Sequence, residues 1–73
     1  MVTDEKTLKL LAKNLREIRK KQGFTQEHLA ELCNYDPTYI SLLERGKRNP
    51  PFLTLVNIAQ HLKCKVAELT NID

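Results

Sequence analysis

The sequence predicts an all-α fold, a compact globule of five helices in a single domain covering residues 1–73. Three observations carry this. Apolar residues recur at three- and four-residue spacing along the chain, the helical period. Gly23, Asn34, Gly46 and the Pro50-Pro51 pair punctuate that pattern at intervals suited to short helices. No segment shows the strict alternation of a half-buried strand.

The first helix is predicted from about Asp4 to Lys21, with Leu8, Leu11, Ala12, Leu15 and Ile18 inward and Thr3 or Asp4 as cap. Gly23 stops it, because glycine tolerates the left-handed geometry of a helix end. The second starts at the cap Thr25 and runs to about Cys33, with Glu27 near its positive end. Asn34 closes it, since Asn visits left-handed geometry more readily than other non-glycine residues. The third begins with Asp36 as cap and Pro37 at its first position, where proline costs nothing. It is expected to end at Gly46. The fourth covers about Phe52 to Leu62, with Leu55, Val56, Ile58, Ala59 and Leu62 inward, and the fifth about Val66 to Leu69. Lys65 is a poor cap for it.

Residues 26–45 are the most informative stretch. Leu29, Cys33, Tyr35, Ile40 and Leu43 supply apolar contacts between two short helices, and the small Ala30 sits where they approach closely. This spacing builds a helix-turn-helix, a motif that offers its second helix to the major groove of DNA. With Ile40 and Leu43 inward, Asp36, Pro37, Thr38, Ser41, Leu42 and Arg45 face out. Thr38 and Ser41 bond bases only singly, and the Thr38 methyl and Leu42 suit thymine methyls. Direct readout by this helix is therefore expected to be weak, with specificity added by Arg45 or Arg48, by two half-sites and by DNA shape. Leu42 is alternatively a core or dimer contact, and Tyr39 either a core aromatic or a phosphate contact. Gln26 opens the second helix, where its side chain and backbone N–H can reach a phosphate. The run Arg45-Gly46-Lys47-Arg48-Asn49 suits phosphate contacts.

Charge supports the placement. The net charge is +3, but seven Lys or Arg fall in residues 1–22 and three in residues 45–50, while residues 23–44 carry four acids and no base. The basic charge brackets the motif, although a solvated charged surface is the plainer reading of any such run. Seventy-three residues bury only roughly 60% of their unfolded surface, so dimerisation is a natural aid to stability. Helices four and five hold more apolar residues than a short chain needs, and Phe52, Leu53, Val56, Leu69 and Ile72 are the expected homodimer interface. A two-fold axis there would set the two reading helices roughly 34 Å apart, one turn of DNA.

The motifs TQEHLA, TYISLLERG and GKRNP between Gln26 and Pro50 resemble the phage-repressor or Cro type (XRE-like) of helix-turn-helix domain, over roughly residues 8–70. The resemblance implies a five-helix, lambda-repressor-like DNA-binding fold that recognises palindromic operators as a dimer. It implies base contacts from Pro37, Thr38, Ser41 and Leu42, and phosphate contacts from Gln26, Tyr39, Arg48 and Asn49. The turn DPTYIS and the loop ERGKRNP also resemble controller proteins of restriction–modification systems, in which a basic residue often stands in the place of Pro37. The chain departs from the family pattern at two turn positions, Asn34 and Lys63, where glycine is usual.

Glu44 lies at a helix C-terminus, where the dipole opposes it, so a basic partner is expected. Arg16 and Arg19 are the candidates by position, and the resemblance implies Arg19, in a partly buried structural bridge.

The implied activity is that of a sequence-specific transcription regulator acting on double-stranded DNA. The alternative is an antitoxin or adaptor that uses the same fold for protein contacts. No cofactor, metal or small-molecule ligand is expected: Cys33 and Cys64 read as reduced thiols, and His61 and Cys64 lack the further ligands of a zinc site. His28 and His61 show no catalytic partner, so no enzyme is expected. The chain has no apolar run long enough for a membrane helix, and a cytoplasmic location in a bacterium or phage host, on the nucleoid, is expected.

Overall fold

The period of Leu8, Leu11, Leu15 and Ile18 produces a helix. In the computed structural model, which describes residues 5–72, α1 spans Glu5–Lys21. The proposed caps Thr3 and Asp4 lie outside the described residues. Four further helices follow among the described residues: α2 (Gln26–Cys33), α3 (Pro37–Glu44), α4 (Phe52–Leu62) and α5 (Val66–Leu69).

Local chemistry sets the starts. The Thr25 hydroxyl accepts the His28 N–H at 3.0 Å, and the Asp36 carboxylate accepts the Thr38 N–H at 2.8 Å. At α5 the Glu68 carboxylate reaches back to the Lys65 N–H at 2.8 Å. Lysine has no acceptor to return that bond, so only half of a capping box forms.

One device ends four of the helices. An N–H two or three residues past the helix returns to a carbonyl five residues earlier, and the residue just before it is left-handed. The bonds are Phe24 to Arg19, Tyr35 to Ala30, Lys47 to Leu42 and Cys64 to Ala59, at 2.8 to 3.2 Å. The left-handed residues are Gly23, Asn34, Gly46 and Lys63. The third helix thus stops at Glu44, short of the predicted Gly46, because Arg45 already leaves helical geometry at ψ 3°. Lys63 adopts φ 56°, ψ 43°, the left-handed conformation. The lysine takes the glycine conformation. An L-residue held there costs about 1 kcal/mol, part of which a glycine returns as unfolded-state entropy. Lys63→Gly is expected to raise stability by about 0.5 kcal/mol, read as a higher urea midpoint with unchanged slope; a lower midpoint would refute it.

The core gathers all five helices around Leu15, Leu29, Ala30, Cys33, Ile40, Leu43, Ile58, Ala59, Leu62 and Leu69. The α2 and α3 pair packs on α1 from the α3 side and on α4 from the α2 side, and α5 closes against α1 and α4. This burial corrects one expectation. Leu69 is fully buried within its own chain and has no surface to offer a second copy. Phe52 and Leu53 are 66% and 76% exposed, while Val56 and Ile72 are half-buried.

Three amide side chains tie distant segments together. Asn14 donates to the carbonyls of Leu69 and Asn71, Gln22 to that of Leu62, and Asn57 to that of Cys33, all at 2.9 to 3.0 Å. Each satisfies a carbonyl at or beyond a helix end that the helix itself leaves open.

Candidate nucleic-acid interface

The helix-turn-helix is held from within by Glu44. Its carboxylate accepts Arg19 Nε at 2.5 Å and Nη2 at 2.9 Å, a two-point bridge between α1 and α3. Both side chains are more than nine-tenths buried. A third bond, from Gln26 Nε2 at 3.0 Å, brings α2 into the same cluster. The remaining guanidinium nitrogen, Nη1, donates to the Phe24 carbonyl at 2.6 Å, pinning the α1–α2 turn. One buried cluster therefore fixes α1, α2 and α3 relative to one another. Among the described residues no buried side-chain nitrogen or oxygen is left without a partner.

This arrangement changes the reading of Gln26. Sequence treats it as a phosphate contact, while the structure commits one of its amide hydrogens to Glu44. A second amide hydrogen and the backbone N–H at the start of α2 remain to meet an anion. Glu44 thereby positions Gln26 as well as Arg19. Nothing in the local sequence signals this bond, which joins residues 18 apart.

Of the outward set on α3, Pro37 and Thr38 are exposed, and Ser41 and Leu42 are half-buried. The Asp36 carboxylate already occupies the N-terminus of α3, so any readout falls to the side chains of Pro37, Thr38, Ser41 and Leu42. Tyr39 is half-buried, its ring edge-on to Tyr35 with centroids 5.2 Å apart and its body packed against the core. Arg45 does not extend the reading face as a helical residue. It caps α3 and folds back to the Ser41 carbonyl at 3.4 Å. Lys47, Arg48 and Asn49 are exposed on the loop that follows. Gly46 lets that loop turn at φ 69° beside α1, where a Cβ would lie 3.4 Å from Lys9 Cα and N.

Burial pushes the Cys33 thiol up to about 11. Burial, then the charge of Glu68, also raises the Cys64 thiol. Both cysteines are free. His61 has partners that the sequence did not suggest: its Nδ1 lies 3.0 Å from the Asn57 carbonyl and 3.7 Å from Cys33 Sγ. His28 packs edge-on to Phe24 at 4.8 Å. No described group of His, Cys, Asp and Glu is arranged to hold a metal ion. No helix of the described residues is long and apolar enough to cross a membrane.

Known proteins share this architecture. The chain is 39% identical over 61 residues to an uncharacterised HTH-type transcriptional regulator, y4dJ, of Sinorhizobium fredii, covering 84% of this chain and 79% of that one. Its fold is similar to the restriction–modification controller protein C.AhdI of Aeromonas hydrophila, with a TM-score of 0.82 at 35% identity over 85% of this chain and 94% of the other. It is also similar to the controller C.Esp1396I, solved as a tetramer on its natural 35 base-pair operator, with a TM-score of 0.79 at 34% identity over 89% and 86%. The helix-turn-helix model HTH_3 matches residues 15–69, which takes in the Arg19–Glu44 brace, both helices of the motif and the buried Leu69. The chain belongs to that helix-turn-helix family.

Proposed function

We propose that this protein is a sequence-specific DNA-binding transcription regulator that acts, without catalysis, as a homodimer on a palindromic operator. The observation that carries the reading is α3 itself: a helix locked from behind by Arg19 and Gln26 through Glu44, with Pro37 and Thr38 open to a groove. The residues assigned to bases are Pro37, Thr38, Ser41 and Leu42, and those assigned to phosphates are Gln26, Lys47, Arg48 and Asn49. Tyr39 joins the phosphate set through its hydroxyl, its ring serving the core. Arg45, at the cap rather than on the reading face, is better placed for a phosphate than for a base. Phe52, Leu53, Val56 and Ile72 form the dimer contact.

Likeness to C.AhdI and C.Esp1396I supports a narrower role, control of a restriction–modification system, for which adjoining methyltransferase and nuclease genes are the test. The general reading is tested by selecting bound duplexes from a random pool and measuring the salt dependence of binding. A protein-binding adaptor would yield no selected sequence and no salt slope. Arg48→Ala is expected to weaken binding to all sequences alike and to shallow the slope by about one unit for each protomer bound. Altered base preference with an unchanged slope would instead make Arg48 a base reader.

A further inference from the structure

The exposed face of α1 carries a charge pattern that the helix-turn-helix does not use. Lys9, Lys13, Arg16 and Lys20 follow one another at intervals of four, three and four residues, which stacks them in one narrow stripe along the helix. All four are exposed. The stripe forms one wall of a cleft of about 480 Å³ between α1 and the end of α3, with Arg45 on the opposite side. Two acids also line this cleft, Glu17 and Glu44, and Glu44 is already neutralised by Arg19.

We infer that this ridge is a second phosphate-binding track, which carries the DNA backbone outside the half-site read by α3. The inference rests on the DNA-binding reading above and extends it. Continuity favours it first. Arg16 and Arg45 also line a smaller hollow with Gln26 and Ser41, so the ridge runs without a break into the face assigned to DNA. Its far end, at Lys9, abuts Gly46, the start of the loop that carries Lys47 and Arg48. Length favours it next. The eleven steps from Lys9 to Lys20 span about 16 Å of helix, and a DNA strand presents a phosphate about every 3.4 Å of its axis. Composition favours it last. The lining is mostly cationic and holds no aromatic anchor, with Ala12 its only apolar residue. Three of its five cations are lysines, which protein interfaces are poor in, whereas a backbone of point charges needs only cations at suitable spacing.

The track acts on affinity and footprint rather than on sequence choice. Its test is the triple variant Lys9→Gln/Lys13→Gln/Lys20→Gln, which spares the Arg16 shared with the half-site face, compared with the unmodified protein on two duplexes. One carries the selected sequence with long flanks; the other is trimmed flush with the half-sites. Glutamine keeps the helix propensity of lysine, so α1 should persist, as circular dichroism would confirm. On the flanked duplex the slope of log affinity against log salt should become shallower by roughly 2.7 units for each protomer bound, three phosphates at about 0.9 each. On the trimmed duplex the two proteins should bind alike, and the selected sequence should not change. If the triple variant keeps the full slope on flanked DNA while Arg48→Ala loses its unit, the ridge is not a DNA contact and the inference fails. If the unmodified protein shows no salt-dependent binding at all, the DNA reading fails and takes the ridge with it.

Discussion

Replacing Arg19 by Met is expected to lower the unfolding free energy by about 3 kcal/mol, although the substitution removes no large apolar group. The reason is what it leaves behind. Glu44 is buried to more than nine-tenths of its side chain, and Arg19 provides two of the three side-chain bonds described for its carboxylate. After the substitution Gln26 alone would face a buried negative charge. Glu44→Leu should cost a similar amount, because the guanidinium would keep only the Phe24 carbonyl. The double variant should be more stable than the sum of the two losses, since neither charge is then stranded, with a coupling of about 2 kcal/mol. Urea unfolding of the four proteins measures this directly. Additive losses would mean that the bridge contributes nothing as a pair. The cycle also separates stability from orientation. If the brace aims α3, the double variant should bind the selected duplex more weakly than its recovered stability implies, because Gln26 and α3 have lost their common anchor.

This brace shows what the chain states openly and what it conceals. The helix ends are legible because Gly23, Asn34 and Gly46 are residues that accept left-handed geometry cheaply, and the structure uses all three in that way. Lys63 conceals the same event, since nothing in lysine prefers φ 56° and tertiary packing imposes it. The inward faces of α1, α3 and α4 are legible from their period, except that Leu8 and Val56, read as inward, stay half-buried outside the core. Leu69 is not, because a helix of four residues is too short to have a face until α1 and α4 enclose it. A count of apolar residues therefore points to an interface, whereas Leu69 belongs to the core. The outward residues of α3 follow from the inward position of Ile40 and Leu43, but the turning back of Arg45 does not. The bonds from Asn14, Gln22 and Asn57 join residues 24 to 57 positions apart, and no local pattern encodes them.

The paired substitution Phe52→Ser/Leu53→Glu is expected to leave a folded monomer that has lost operator affinity by about 100-fold or more. Phe52 and Leu53 lie in the first turn of α4, and Val56 follows Phe52 by one helical turn on the same side. Neither residue belongs to the core or packs against it, so their replacement should not unfold the chain. Their exposed area has a cost that a second copy can remove. Full burial of such side chains is favourable by roughly 1.5–3 kcal/mol each. Four of them across a two-fold axis, already part-buried in the monomer, would contribute about 6 kcal/mol. That lies within the range of the association cost, about 4–15 kcal/mol, so this patch decides whether the dimer forms while Val56 and Ile72 complete it. The glutamate that each copy then brings near the axis adds like-charge repulsion to the lost burial. On DNA the loss should appear only where two half-sites are present. A linked pair of reading helices binds the second half-site as an intramolecular event, which is worth about 10²–10⁴ in avidity. A duplex carrying one half-site should therefore be bound equally by both proteins, while the full palindrome separates them. Sedimentation should show the unmodified chain as a dimer at tens of micromolar and the variant as a monomer. A variant that still dimerises would move the interface away from α4. An unmodified chain that stays monomeric, even with the palindrome present, would remove the homodimer from the mechanism.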